Sequence, residues 1–206
     1  AAIASMNFLV KLGAKLENIY LVDSKGLVHK SRTDLNPYKK QFAQDTLKTT
    51  QKDAIENSDI LIGLAGSDII SANELKSMND KPIIFTLSNP NPEISYELAK
   101  SACPDGIIAT GRSDLPNQIN NVLCFPYIFK GALAVKAKTI NFAMQKAAAY
   151  AIAKIAKQPV PESLKESYNK DNSWSFGREY IIPMALDPRL KDAVTTAVAN
   201  AAKASF

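Results

Sequence analysis

Residues 60–66 read Ile-Leu-Ile-Gly-Leu-Ala-Gly, and this stretch decides the fold. A short continuous apolar run that ends in a glycine-bearing turn suits a strand buried in a parallel sheet. The pattern recurs to either side. Ile19-Tyr20-Leu21-Val22 runs into the turn Asp23-Ser24-Lys25-Gly26, Ile83–Thr86 into Ser88-Asn89-Pro90-Asn91-Pro92, and Ile107-Ile108-Ala109 into Thr110-Gly111-Arg112. Helical patterns lie between these runs: 2–12 stopped by Gly13, 37–45 opened by Pro37, then 50–57, 71–78 and 95–102. Strands alternating with helices predict an α/β fold with a parallel sheet, right-handed crossovers and helices on both faces. Ligands of such sheets bind beyond the carboxyl ends of the strands. Here those ends are Asp23, Gly63 to Gly66, Ser88 to Asn91 and Thr110 to Arg112, where polar and glycine residues gather.

After residue 115 the character changes. Residues 126–156 are rich in Ala, Ile and Lys and predict two helices broken near Lys138-Thr139. A polar, proline-bearing connector over 157–187 carries Trp174, Phe176 and Tyr180, and 188–204 predicts a last helix. The expected architecture is therefore a Rossmann-like doubly wound parallel sheet lacking its first strand, with a helical C-terminal extension. Its domains are expected at 1–156 and 157–206, the latter docking or linking to a following region.

Composition narrows the function classes. With 206 residues and 46% hydrophobic content, the chain can bury a core without staples. The net charge of +5 is scattered, with no arginine-rich run, which argues against a nucleic-acid partner. Cys103 and Cys124 have no Cys or His neighbour at ligand spacing, so neither a disulfide framework nor a zinc site is expected, and reduced thiols suit a cytoplasmic protein. One histidine, His29, speaks against a histidine-based triad. No apolar run approaches the ~20 residues that cross a bilayer, so no membrane partner is expected. The chain opens without Met inside a helix, which suggests a segment of a longer protein.

Asp23 is the first candidate site residue. An acid at the end of an early strand can accept hydrogen bonds from an adenosine ribose, and equally can make a turn. The glycine-rich fingerprint that would decide between these is missing. Ser24, Lys25, Lys39 and Lys40 follow Asp23 and could accommodate a ribose 2′-phosphate, or form a solvated face. In 88–92, two prolines hold Asn89 and Asn91, which offer donors and acceptors to a ligand or simply make a tight turn. Asn120-Asn121 poses the same choice. Arg112 could pair with a carboxylate or phosphate, or lie on the surface. Cys124 has no recognisable base beside it and reads as packing.

Five strings in this order resemble the malic enzyme family. They are VDSKGLV (22–28), SNPNPEIS (88–95), GRSDLPNQINNVLCFPYIFKGAL (111–133), INFAMQKAAAYAIAKIA (140–156) and FGREYIIP with DPRL (176–190). The resemblance implies oxidative decarboxylation of L-malate to pyruvate and CO2 with reduction of NADP or NAD. It implies a divalent metal, Mg or Mn, held by residues outside this chain. The residues that match are Asp23 at the adenosine ribose and Gly63, Leu64 and Ala65 in the loop under the cofactor. Asn89 matches the position near nicotinamide and malate, and Asn120 a malate contact. Cys124, Lys130 and Met184-Ala185 depart from the family, which has glycine, arginine and Lys-Pro there. The family's catalytic tyrosine and lysine, its metal ligands and its glycine fingerprint all lie upstream. No catalytic or metal-binding residue is therefore expected in this chain, and the chain alone is expected to be inactive. A catalytic N-terminal domain of the same protein and a homo-oligomer are the implied partners. Two other readings stay open: the cofactor domain of an amino-acid dehydrogenase, and a non-catalytic assembly module.

Overall fold

In the computed structural model, which describes residues 1–168, 170 and 174–205, helix α1 (Ala2–Lys11) opens the chain. Strand β1 (Val22–Asp23) follows and pairs antiparallel with β2 (Gly26–Leu27), Val22 opposite Leu27 and Asp23 opposite Gly26. The parallel strand expected over 19–22 is thus corrected to one arm of a hairpin. The physical cause is the turn at Ser24-Lys25, completed by Gly26 at φ +99°, a conformation that costs glycine little. The Val28 N–H donates to the Leu21 carbonyl at 2.8 Å and prolongs the pairing. Leu21 and Val28 pack with Met6 and Phe42 into a small core.

Helix α2 (Pro37–Lys40), capped by Asn36, covers only the start of the expected helix over 37–45. Gln44 draws the rest toward the hairpin. Its N–H donates to Val28 at 3.1 Å, its carbonyl accepts from Lys30 at 2.9 Å, and its side-chain amide donates to Ile19 at 2.6 Å.

The remaining elements of this part alternate as expected: α3 (Gln51–Ile55), β3 (Ile60–Gly63), α4 (Ala72–Lys76), β4 (Ile83–Thr86), α5 (Tyr96–Ala102) and β5 (Ile107–Thr110). Thr50 with Asp53 and Ser71 with Glu74 form capping boxes that start α3 and α4, and Ser95 caps α5. The sheet is parallel, Rossmann-like and flanked by helices, with strand order β3-β4-β5. Its register sets Gly63 opposite Thr86, so the loops after β3 and β4 leave the sheet at one level. Leu61, Ile84 and Ile108 pack with Leu75, Ile94 and Ala99. Burial on both faces, expected for every strand, fails at β3. Leu61 is 8% exposed, whereas Ile60 and Ile62 are 55% and 38% exposed, the alternation of a strand with one covered and one open face.

The chain divides into two compact units, Ala1–Ile108 and Ala109–Phe206. Composition set its boundary after residue 156. The second unit contains α6 (Tyr127–Ala134), α7 (Phe142–Ala156), α8 (Glu162–Ser167) and α9 (Arg189–Lys203). The break between α6 and α7 falls where expected, with Lys136 at φ +55° and Asn141 capping the Met144 N–H. In α9, Leu190, Val194, Val198 and Ala202 recur every fourth residue and are fully buried against Met144, Ala148 and Ile155 of α7 and Ala132 of α6.

The short helix α8 lies inside the expected connector, of which 169 and 171–173 fall outside the described residues. Leu164 of α8 packs with Val160, Tyr180 and Met184, and Trp174 meets Tyr180 edge-on at 4.9 Å. Trp174 and Tyr180 are thus core residues, while Phe176 remains half exposed.

Candidate functional site

The hairpin reversal at Ser24-Lys25 brings Arg32 back onto Asp23. The guanidinium donates from Nη1 to Asp23 Oδ1 at 2.8 Å and from Nη2 to Oδ2 at 3.1 Å, a two-pronged pair. Lys39 Nζ donates to Oδ2 at 2.5 Å, and the Lys25 N–H to Oδ1 at 3.0 Å. Arg32 also bonds Asp34 through Nε and Nη2, both at 3.0 Å, and Lys25 Nζ reaches Asp34 at 2.8 Å. Three cations thus surround two carboxylates. The Asp23 and Arg32 side chains are only 13% and 10% exposed, whereas Lys25 and Lys39 keep open flanks. Ser24 and Lys40 are exposed beside them.

The Arg32 guanidinium, against some opposition from burial and with help from Lys39, holds the Asp23 carboxyl well below the usual carboxylate range. Asp34 is lowered likewise, first by Arg32 and then by Lys25, and Arg32 is raised by Asp34 and Asp23. A depressed folded-state value means that the Asp23 contribution to stability is present above the unfolded value of ~3.9 and is lost as pH falls through the folded one. The side-chain carboxyl carbon of Asp23, followed by NMR, is therefore expected to stay ionised down through about pH 3, below the ordinary midpoint. In Arg32→Gln its midpoint should move up toward that ordinary value. An unmoved midpoint would contradict the pairing.

A second cluster lies at the ends of β3 and β4. Glu93 is fully buried. Its Oε1 accepts the Ala65 N–H at 3.1 Å and the Ser88 hydroxyl at 2.5 Å, and its Oε2 accepts the Ser88 N–H at 3.3 Å. The loop of Gly63, Leu64 and Ala65 is thereby tied to the loop that carries Asn89. A Cβ at Gly63 would overlap the Glu93 carboxyl, so only glycine fits there. Asn89 itself is exposed, ahead of a cis bond to Pro90.

Asn120 belongs to the second unit. Its Oδ1 accepts the Val122 N–H at 3.0 Å and caps the single 3-10 turn Asn121–Leu123, leaving its amide N–H2 without a partner among the described residues. The loop before it is held by the Ile119 N–H on the Thr110 carbonyl at 2.8 Å. Arg112 pairs with Asp114 at 2.9 and 2.6 Å on the surface. Burial pushes both the Cys103 and Cys124 thiols up, away from thiolate chemistry. Among the described residues no group of three or more His, Cys, Asp or Glu side chains could hold a metal ion, and no helix is long and apolar enough to cross a membrane.

The first unit thus brings Asp23, Ser24 and Lys25 together with Lys39, and separately joins Gly63, Leu64 and Ala65 to Asn89. Sequence reasoning missed Arg32, Asp34 and Glu93. For Arg32 a signal existed: a cation nine residues past a strand-end acid, beyond a glycine turn.

Comparison with known proteins identifies the family. The family model described as "Malic enzyme, NAD binding domain" matches residues 9–167. An NADP-dependent malic enzyme of Halomonas elongata is 50% identical over 202 residues, covering 98% of this chain and 48% of that protein. An NAD-dependent malic enzyme of Rhizobium meliloti is 44% identical, covering all of this chain and 27% of that protein. The crystal structure of the NAD-dependent malic enzyme of Thermotoga maritima superposes with a TM-score of 0.80 at 36% identity, covering 97% of this chain and 48% of that one. The chain thus spans half or less of the length of these relatives. With the match running from the strand-end acid through the paired asparagines and beyond, this chain belongs to the malic enzyme family, within its NAD-binding domain.

Proposed function

We propose that the chain is the cofactor-holding part of an enzyme that converts L-malate to pyruvate and CO2 with reduction of NADP or, less readily, NAD. The observation that carries this reading is the Asp23–Arg32–Lys39 cluster at the first strand end, beside the expected path of a dinucleotide. Asp23 would meet the adenosine ribose. Ser24, Lys25 and Lys39 would face a 2′-phosphate, which the cationic excess favours. Gly63, Leu64 and Ala65 would pass under the dinucleotide, and Asn89 would orient the carboxamide end and the substrate. Asn120 would donate its amide N–H2 to malate. When bound, the nicotinamide ring supplies the hydride acceptor for C2 of malate. Metal binding and proton transfer would fall to a catalytic N-terminal part of the same protein. Family membership disfavours the amino-acid dehydrogenase reading.

The test is reduced-nicotinamide absorbance of the complete enzyme with L-malate and manganese, NADP against NAD, with and without a chelator. Malate-dependent, chelator-sensitive reduction supports the reading, and none with either cofactor refutes it. The chain on its own should turn nothing over. In the complete enzyme, Asn120→Ala is expected to raise the KM for malate roughly tenfold, the worth of a hydrogen bond to a charged group, and leave the cofactor KM in place. An unchanged malate KM would remove Asn120 from the site.

A homo-oligomer in the cytoplasm completes the proposal. Phe129 and Leu133, one turn apart on α6 and 48% and 73% exposed, support an assembly surface, and the two free cysteines suit a reducing compartment.

A further inference from the structure

Glu93 is a carboxylate with no exposure and no cation partner among the described residues. A lone buried charge is costly unless its oxygens are met by donors. Three donors meet it here, and they come from two different loops: the Ala65 N–H after β3, and the Ser88 N–H and hydroxyl after β4. The β3 end is shaped around it, since only a residue without Cβ at Gly63 leaves room for the carboxyl. An apolar side chain could fill the same space without desolvating a charge, but it could not aim three directional bonds at two loops. We infer that Glu93 is a positioning residue: it locks the Gly63–Ala65 loop to the Ser88–Asn89 loop and so sets how the nicotinamide half of the cofactor is seated. This rests on the cofactor-binding reading above. Glu93 touches no substrate in it and acts through Ala65, Ser88 and Asn89. The adenosine half, placed at Asp23, is served by a separate ion network and should not feel the clamp.

That separation supplies the test. In the complete enzyme, Kd values for NADPH and for 2′,5′-ADP, which lacks the nicotinamide half, are measured by fluorescence titration and competition. Glu93→Gln keeps the shape and exchanges one acceptor oxygen for a donor that faces an N–H. It is expected to raise the Kd for NADPH about tenfold, the cost of one unsatisfied buried group, and to leave 2′,5′-ADP within about twofold. Ser88→Ala removes one of the three donors from outside the buried carboxyl, and should shift NADPH in the same direction by a smaller factor. It keeps the inference testable if Glu93→Gln folds poorly. Equal weakening of both ligands would mark Glu93 as merely structural and overturn the inference, as would unchanged binding of NADPH. If the parent enzyme prefers NAD, NADH and 5′-AMP replace NADPH and 2′,5′-ADP; a parent enzyme that bound neither NADPH nor NADH would overturn the cofactor reading itself, and this inference with it.

Discussion

Arg32→Ala should reverse the cofactor preference of the complete enzyme. Arg32 bonds both oxygens of Asp23 and both of Asp34, and together with Lys25 and Lys39 it leaves the cluster with one positive charge in excess. Its removal deletes four charge-assisted bonds and leaves two carboxylates against two lysines. A 2′-phosphate then meets carboxylates that are less neutralised, which raises its cost. The freed Asp23 edge can accept from ribose hydroxyls, which favours the cofactor without the phosphate. One unit charge about 4 Å from a phosphate is worth about 1 kcal/mol in water and about 4 kcal/mol near a protein surface, and 1.4 kcal/mol is a factor of ten, so kcat/KM for NADP should fall roughly ten- to a hundredfold. That for NAD should hold or rise. Steady-state kinetics with both cofactors at fixed malate and manganese decides it. An equal loss with both cofactors would mean that Arg32 only braces the hairpin, and that Lys25 and Lys39 do not select the phosphate.

The difference between what was legible in the sequence and what was not follows the range of the interactions. The runs at Ile60, Ile83 and Ile107 are strands because continuous apolar residues next to turn residues leave the backbone few other ways to bury them. The last helix is equally plain, since Leu190, Val194, Val198 and Ala202 form one stripe. Ile19–Val22 misleads because its apolar residues fit a parallel strand as well as a hairpin arm. The choice is made by the turn at Ser24-Lys25 and by Gln44, which lies 22 residues downstream of Val22 and holds the hairpin through three bonds. The same contacts end α2 early. Among the candidate site residues, those at strand ends are visible as polar breaks after apolar runs. Arg32 and Glu93 are not visible in that way, because each takes its partner from another loop. Glu93 follows the turn prolines with no periodicity around it, and only the glycine at 63 on the neighbouring strand reveals the space it fills.

The largest stability effect is expected at Gly131 in α6, where helix propensity and packing disagree in sign. By propensity, replacing a mid-helix glycine with alanine should stabilise by about 0.5–1 kcal/mol. In the fold, a Cβ at Gly131 would lie 2.6 Å from the Thr195 carbonyl oxygen, 2.8 Å from Val198 Cβ and 2.9 Å from Val198 Cγ1. The carbonyl is backbone of α9, and Val198 is fully buried with a stiff β-branched side chain, so neither can swing aside. The α6 and α9 axes would have to part along a seam that also buries Val194 and Ala202. Overpacking of this kind costs about 1–3 kcal/mol and more when backbone must move, which exceeds the propensity gain. Gly131→Ala is therefore expected to lower the melting temperature by roughly 4–8 °C, and Gly131→Val, which adds two methyl groups to the clash and a poor helix former, by about twice that. Gly66→Ala serves as the control, since nothing lies within 4 Å of a Cβ there, and should leave the midpoint in place. Calorimetry or far-ultraviolet circular dichroism reads all three. A melting temperature that rises in Gly131→Ala would mean that the α6–α9 crossing is looser than described, with propensity deciding the sign.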